Sequence, residues 1–327
     1  MLMRDVSSYR DFLKTYHGRT LCPDVFDEFW AGVCVENKPE AREVQKASIN
    51  CSRLICEEFT YLASDGASLK AHILRPKGAA PLPTVILYTD CGREVRGWLH
   101  LARFASLGFA VVAPEIRRLP QAVRTSFEKA WKGEVSAGNL TAYYFNTNAL
   151  DRAEDSAVEC ACRAPLFQLI SDAYAAAHAT QLLPFVDKGR LMTWGEGLGG
   201  ALALDTAALL GSQCAGVMAQ NPFFADSGAC VPGGFCSAQE TPKNVRVADA
   251  MGLLDTASFA ERITCPTLMA CSLEDRSSLP EGTFAAYNRI PAEQKRMAVY
   301  PRHAHERIND FENLQIDFLL TYSGGRL

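Results

Sequence analysis

The most informative part of this sequence is a strand, a tight turn and a helix in immediate succession. It reads Leu191-Met192-Thr193-Trp194-Gly195-Glu196-Gly197-Leu198-Gly199-Gly200 and continues as Ala201-Leu202-Ala203-Leu204. The first residues form a short apolar run typical of a buried strand, and the last ones have the pattern of an amphipathic helix. Glycines at 195 and 199 allow a sharp turn without side-chain collisions, and Gly197 accepts a positive φ at little steric cost.

This arrangement matches the nucleophile elbow, whose template Gly-x-Ser-x-Gly presents a serine side chain at the N-terminus of the helix. In this chain Gly197 stands at the serine position. Because glycine has no side chain, it cannot attack a carbonyl, and no acyl-enzyme can form there. Moving the frame to centre Glu196 would place Trp194 and Leu198 where small residues are needed. The sequence therefore predicts a serine-esterase site that lacks its nucleophile.

A phosphate-binding turn is the alternative interpretation of the same glycines. Gly195-x-Gly197-x-x-Gly200 matches the Gly-x-Gly-x-x-Gly pattern of dinucleotide-binding proteins. That pattern belongs to an early strand and needs an acidic residue about twenty positions later. Here the strand comes late in the chain, and residues 215–222 read Ala-Gly-Val-Met-Ala-Gln-Asn-Pro. Dinucleotide binding is the weaker hypothesis.

Short apolar runs alternate with helical stretches along most of the remaining chain, which favours an α/β fold with a mostly parallel sheet and helices on both faces. Asp65-Gly66 between two alternating runs predicts a β-hairpin. We predict a helical N-terminal arm over 1–50 and one domain over 51–327, with insertions at about 119–160 and 226–247. The predicted strands are 54–62, 69–74, 84–88, 109–113, 191–194, 215–219, 267–271 and 297–300, and the predicted helices 98–107, 166–183, 198–210, 284–289 and about 307–322.

Candidates for an acid and a histidine follow the last two predicted strands. In proteins with a nucleophile elbow of this kind, the order along the chain is nucleophile, acid, histidine. Glu274 and Asp275 follow the strand 267–271, and either could be the acid. Residues 301–306 read Pro-Arg-His-Ala-His-Glu, so the loop after the last strand carries His303 and His305. A histidine there would accept the proton of a nucleophile, and the acid would fix its tautomer.

These motifs together resemble the acetyl xylan esterase/cephalosporin C deacetylase family (carbohydrate esterase family 7), which has the α/β-hydrolase fold. The resemblance is carried by Phe26-Asp27-Glu28-Phe29-Trp30, Phe284-Ala285-Ala286-Tyr287-Asn288, Val299-Tyr300-Pro301 and His305-Glu306. It implies Asp275 as the catalytic acid, His305 as the catalytic histidine and Gly197 at the nucleophile position. It also implies that the backbone amides of Cys91 and Leu198 form the oxyanion hole.

Three departures from the family pattern accompany the resemblance. Gly197 replaces the serine, Thr89-Asp90-Cys91 stands at a His-Gly-Tyr motif, and Arg117-Arg118-Leu119 stands at an Arg-Gly-Gln motif. The expected function is a carboxyl-ester hydrolase of the acetyl xylan esterase or deacetylase type, inactive or weak without its nucleophile. The alternative is a pseudoenzyme that serves as a binding or assembly subunit. In a third hypothesis Cys91 supplies a new nucleophile, which would require a nearby base and a lowered pKa.

Charge and composition disfavour several other functional classes of protein. The net charge is −4 and there is no dense Lys/Arg stripe, which disfavours nucleic-acid and anionic-membrane partners. The N-terminus lacks the apolar core of a signal peptide, and the twelve cysteines are scattered, as in a cytoplasmic protein with reduced thiols. We expect no metal and no organic cofactor. The family resemblance implies a small acetylated substrate or ligand and a homo-oligomer, with a hexamer as the expected form.

Overall fold

A single mixed sheet forms the centre of the computed structural model, which describes residues 6–36, 41–78, 81–117, 144–145, 155–227 and 242–323. The strands are β1 (Ala41–Lys46), β2 (Leu54–Leu62), β3 (Ser68–Pro76), β4 (Leu82–Tyr88), β5 (Ala110–Pro114), β6 (Val186–Glu196), β7 (Gly216–Gln220), β8 (Thr267–Ser272) and β9 (Lys295–Tyr300). The helices are α1 (Val6–Thr15), α2 (Phe26–Glu36), α3 (Trp98–Ala105), α4 (Ala157–Cys162), α5 (Pro165–Thr180), α6 (Leu198–Leu210), α7 (Pro242–Gly252), α8 (Thr256–Ala260), α9 (Pro280–Arg289) and α10 (Asn309–Tyr322).

The strand order across the described sheet is β1-β2-β3-β5-β4-β6-β7-β8-β9. The first three pairings, β1 with β2, β2 with β3 and β3 with β5, are antiparallel. All pairings from β5 to β9 are parallel. The carboxyl ends of β4, β6, β8 and β9 therefore lie at one edge of the sheet, where ligand sites of α/β proteins are found.

Both faces of the central strands are buried, which explains their nearly continuous apolar sequences. On β4, Ile86 and Tyr88 belong to the core on one face, with α5 and α6 residues such as Leu166 and Leu202. Val85 and Leu87 alternate with them and belong to the core on the other face, with residues of α3 and α10. The predicted α/β class, with a mostly parallel sheet and helices on both faces, is confirmed by this arrangement.

The predicted helical arm needs correction in part. The arm 1–50 is not helical throughout, because Ala41–Lys46 forms strand β1, in which Val44 pairs with Phe59 of β2. This strand is governed by backbone pairing to an open sheet edge, so it lacks the apolar periodicity that a sequence pattern would show. Helix α7 begins within the predicted insertion 226–247 and buries Val247, and residues 228–241 lie outside the described part of the chain, so this insertion stays a prediction. The predicted insertion 119–160 lies mainly outside the described residues.

Asp226 holds the N-terminal arm against the domain. This residue follows β7, has a φ of 55° and is 1% exposed. Its Oδ1 accepts hydrogen bonds from the backbone amides of Arg19 (2.6 Å) and Thr20 (2.9 Å), and its Oδ2 accepts one from the Tyr16 hydroxyl (2.6 Å). One buried carboxylate thus accepts hydrogen bonds from three donors at and after the end of α1.

Replacing Asp226 by alanine is expected to lower the free energy of unfolding by about 1–3 kcal/mol, because one buried and two half-buried donors would lose their acceptor. Urea unfolding of Asp226→Ala and the parent protein measures this difference. Asp11→Ala is a suitable control, since it removes an exposed contact with Lys14 and should change stability by less than about 1 kcal/mol. Equal stabilities for Asp226→Ala and the parent would contradict an anchoring role.

Candidate active site

Four connections at the carboxyl edge of the sheet converge on one point. Asp90 follows β4, Gly197 follows β6, Asp275 follows β8 and His305 follows β9. Because β4 and β6 are neighbours, the loop after β4 lies directly beside the elbow. The parallel arrangement therefore brings together residues that are far apart in the sequence.

The elbow has the strained geometry that its glycine pattern predicts. Gly197 precedes α6 with φ 57° and ψ −120°, a conformation that side-chain-bearing residues rarely adopt. A Cβ at Gly195 would lie 2.0 Å from the Gly199 carbonyl oxygen, and a Cβ at Gly199 would lie 2.2 Å from the Tyr88 carbonyl oxygen. Flanking glycines are thus required by close backbone approach.

Asp275 and His305 form the acid–histidine pair expected from the sequence. Asp275 is 2% exposed, and its Oδ2 lies 2.7 Å from His305 Nδ1. Its Oδ1 accepts hydrogen bonds from the backbone amides of Ser277 (2.8 Å) and Ser278 (2.9 Å), which fix the carboxylate. Glu274, the other acid candidate, is exposed. The geometry therefore selects Asp275 between the two.

The second ring nitrogen of His305 faces a residue that the sequence did not indicate as functional. Nε2 lies 3.0 Å from Oδ2 of Asp90. The other carboxylate oxygen, Oδ1, accepts hydrogen bonds from the backbone amides of Cys91 (2.7 Å) and Leu198 (3.0 Å). These are the two amides that the family resemblance assigns to the oxyanion hole. Both are present at one point, but the carboxylate of Asp90 accepts their hydrogen bonds.

Asp90 also fills the space that a side chain at position 197 would need. A Cβ on Gly197 would lie 2.0 Å from Asp90 Oδ1 and 2.5 Å from Asp90 Cγ. No side chain, serine included, fits beside this carboxylate without displacing it. The Asp90 carboxylate therefore occupies its position only because residue 197 has no side chain.

His305 must be doubly protonated to satisfy this arrangement. An ionised carboxylate only accepts hydrogen bonds, and a neutral imidazole has a single N–H donor. Since both ring nitrogens face carboxylate oxygens, the imidazolium alone donates to both. Burial by itself would lower the pKa of His305, but the charge of Asp90 and the hydrogen bonds with Asp275 and Asp90 raise this pKa to about 10.

The Asp90 carboxylate is correspondingly held in its ionised form. Burial would raise its pKa, but the positive charge of His305 and its hydrogen bond, followed by the charge of Arg93, lower the pKa below its ordinary value. Arg93 Nε lies 3.6 Å from Asp90 Oδ2, and Arg93 Nη1 lies 3.6 Å from Glu196. The site therefore favours an imidazolium paired with an ionised carboxylate.

The thiol of Cys91 has the wrong surroundings for a nucleophile. Cys91 is 2% exposed, and its Sγ lies 3.0 Å from the hydroxyl of Tyr144, which is not a base. Burial raises the pKa of this thiol well above its ordinary value. Both observations argue against the hypothesis that catalysis has moved to Cys91.

Arg117, the one residue retained from the family's Arg-Gly-Gln motif, acts as a structural bridge. Its guanidinium donates to both carboxylate oxygens of Asp172 on α5 and to Asp65 in the hairpin turn between β2 and β3. These hydrogen bonds do not involve Asp90, Asp275 or His305. Arg117 therefore ties the antiparallel part of the sheet to the helical layer.

Sequence reasoning missed the role of Asp90, although two signals were present. Position 90 carries an aspartate where the family pattern has glycine, and position 197 carries glycine where the family has serine. At position 90 a larger residue replaces glycine, and at position 197 glycine replaces a larger residue. The two positions are neighbours in the fold. Only the pairing of β4 with β6 makes them neighbours.

An elbow between a central parallel strand and a helix, with an acid and a histidine after two later strands, defines an α/β-hydrolase. The sequence profile of the family described as acetyl xylan esterase matches residues 3–231 and 235–322. Because this match extends over nearly the whole chain, the chain belongs to the acetyl xylan esterase family. Family membership supports esterase or deacetylase chemistry as the function for which this scaffold is built.

Solved structures show the same fold. Acetyl xylan esterase 1 from Thermoanaerobacterium sp. JW/SL YS485 is 23% identical, with 95% of this chain and 98% of that chain covered and a TM-score of 0.77. The acetyl xylan esterase from Paenibacillus sp. R4 is 20% identical, with 95% and 99% covered and a TM-score of 0.75. The Pyrococcus horikoshii acylaminoacyl peptidase is 14% identical, with 84% and 41% covered and a TM-score of 0.55.

The described residues contain neither a cluster of metal-binding side chains nor a helix that could cross a membrane. Within those ranges, no three His, Cys, Asp or Glu side chains come together in a way that could hold a metal ion. In the same part of the chain, each helix is too short or too polar to cross a membrane.

Proposed function

We propose that this chain is a non-hydrolytic member of the acetyl xylan esterase family and serves as a binding or assembly subunit. The observation that carries the proposal is the contact between His305 Nε2 and the Asp90 carboxylate, 3.0 Å apart, at the place of a serine hydroxyl. In serine esterases this nitrogen must be unprotonated, because it takes the proton of the attacking hydroxyl. Here Gly197 supplies no hydroxyl, and the nitrogen is engaged in an ion pair.

Slow carboxyl-ester hydrolysis of the acetyl xylan esterase or deacetylase type is the second candidate. The hydrogen bond between Asp275 and His305 supports it, since an oriented histidine could activate water. Sites that lack a triad member retain ~10³–10⁴-fold catalysis over water through binding and the oxyanion hole. That residual activity requires free donors, and the amides of Cys91 and Leu198 donate to Asp90. The first candidate is therefore better supported.

The proposed role requires partners, and the family resemblance gives their nature. We propose that the chain assembles with copies of itself into a homo-oligomer, with a hexamer as the expected form, and that it binds a small acetylated ligand. The net charge of −4 supports neither a nucleic-acid nor a membrane partner. The cytoplasm is the proposed location, in agreement with twelve scattered cysteines, which suit a protein with reduced thiols.

Hydrolysis of p-nitrophenyl acetate by the purified protein is expected to equal that of the His305→Ala variant. The physical reason is that His305 is an imidazolium between two carboxylates and offers no base. Initial rates at pH 7–8, corrected for the buffer reaction, measure this, and light scattering of the same samples measures the assembly of 35.8-kDa chains.

A rate that falls more than tenfold on His305→Ala would contradict the non-hydrolytic proposal and favour slow hydrolysis. His303→Ala is the matched control, because it removes the neighbouring histidine of the same loop. A monomeric mass at working concentrations would contradict the assembly role without affecting the kinetic result.

A further inference from the structure

The surroundings of Asp90 have the composition of a binding site for a free carboxylate. One oxygen accepts two backbone amide hydrogen bonds, from Cys91 (2.7 Å) and Leu198 (3.0 Å). The other oxygen accepts from His305 Nε2 (3.0 Å), with Arg93 Nε at 3.6 Å. The Leu198 amide lies at the N-terminus of α6 and the Cys91 amide in the loop after β4, and such amides together with a cation form a donor set that binds carboxylates.

The shape of this site is also that of a small carboxylate. The Asp90 side chain is 3% exposed, so its carboxylate is almost fully enclosed. The lack of a Cβ at Gly197 supplies the volume, because any side chain there would overlap the carboxylate. A ligand in this site must be planar, must carry two acceptor oxygens and must be no wider than a carboxylate.

The charge of the site selects an anion over a neutral group. His305 donates through Nδ1 to Asp275 and through Nε2 to Asp90, and one positive charge is shared between the two acids. If the Asp90 carboxylate were removed, the amides of Cys91 and Leu198 would lose their acceptor, and His305 would lose the anion that keeps its Nε2 protonated. Buried donors without acceptors are costly, so the emptied site would favour an anion that replaces them.

We propose that this site is a carboxylate-binding site whose ligand is the protein's own Asp90. The side chain is a tethered equivalent of formate or acetate, held by the Cys91 and Leu198 amides and His305. Asp90 thereby acts as a positioning residue, which fixes the loop after β4 to the N-terminus of α6 and holds His305 as an imidazolium. This inference rests on the geometry around Asp90 and does not depend on the proposed assembly role.

Chemical rescue tests the proposal. The variants Asp90→Gly and Asp90→Ala remove the tethered carboxylate and keep the two backbone amides and the His305 ring. Thermal unfolding of each is measured with increasing sodium formate or sodium acetate, at constant ionic strength set with sodium chloride and in a buffer free of carboxylates. We expect both variants to unfold at lower temperature than the parent, and formate to raise this temperature saturably by about 2 °C or more.

Matched controls separate specific binding from general salt effects. The parent protein and Asp90→Asn, in which the side chain still fills the space, should show no saturable response to formate. Acetamide, which has the shape of acetate without its charge, should not stabilise Asp90→Gly. The ¹⁵N signals of His305 in Asp90→Gly should move toward those of an imidazolium as formate binds.

Three results would overturn the proposal. The first is a saturable formate response of equal size in Asp90→Asn. The second is no response in Asp90→Gly and Asp90→Ala when circular dichroism shows both to be folded. The third applies if neither variant folds: a His305 ring that carries one N–H in the parent protein at pH 8 would show that Asp90 is not bound as an anion by an imidazolium.

Discussion

Ester hydrolysis is expected to return when serine is placed at position 197 and Asp90 is replaced by glycine in the same protein. The double variant Asp90→Gly/Gly197→Ser should hydrolyse p-nitrophenyl acetate at least about 10³-fold faster than the parent, within the ~10⁶-fold that a complete triad contributes in a serine hydrolase. The single variant Gly197→Ser should show no comparable gain. Initial rates of the four proteins in this cycle measure both expectations.

The reason for the difference is steric and electrostatic. A serine Cβ at position 197 would lie 2.0 Å from Asp90 Oδ1, so the single variant has to displace a carboxylate that accepts three hydrogen bonds. Removing Asp90 at the same time makes room for the hydroxyl and frees the Cys91 and Leu198 amides to stabilise an oxyanion. It also removes the negative charge that keeps His305 protonated, so the histidine can act as a base.

Two controls make this result interpretable. Asp90→Gly/Gly197→Ala has the same backbone strain, about 1–3 kcal/mol for a side chain at positive φ, and carries no hydroxyl. Its rate should remain near that of the parent. Adding His305→Ala to the active double variant should abolish the gain. Full activity of Gly197→Ser alone would contradict the role of Asp90 as the blocking group, and a folded but inactive double variant would contradict the residual-triad geometry.

The elbow, the acid and the histidine could be predicted from the sequence because each depends on local pattern and chain order. The glycines around Gly197 are spaced for a turn from strand to helix, and Asp275 and His305 follow two short apolar strands in the order that the fold requires. Parallel strands place such residues at one edge of the sheet without further information.

The occupied oxyanion hole could not be predicted in the same way. The sequence places Asp90 at a family glycine position, but it does not reveal that the carboxylate turns back onto its neighbour's amide and reaches across to Leu198. That contact depends on the pairing of β4 with β6 and on a side-chain conformation. Strand β1 escaped prediction for a related reason, since its stability comes from a backbone partner, β2, and not from its own apolar pattern.

His305 is expected to titrate with a pKa of about 10 in the parent protein and to titrate lower in Asp90→Asn. The amide can still accept from Cys91 and Leu198 through its oxygen and can donate to a neutral Nε2, so the shape of the site is kept while its charge is lost. Loss of an opposite charge at this distance corresponds to a fall of about 1–3 pKa units. Two-dimensional ¹H–¹⁵N spectra of histidine-labelled protein measure the pKa, with His305→Ala used to assign the signal among the six histidines.

The same shift determines how stability depends on pH. Because the folded pKa of His305 lies above the unfolded value of 6.5, its contribution is complete below pH 6.5 and is lost as the pH rises toward 10. Asp90 has a folded pKa below its unfolded value of 3.8, so its contribution is present above that value and is lost at lower pH. The stability advantage of the parent over Asp90→Asn should therefore be largest between about pH 4 and pH 6.5 and should decline on either side. An advantage that grows steadily between pH 6.5 and 10 in urea unfolding would mean that His305 is neutral in the folded protein, and the ion pair with Asp90 would have to be abandoned.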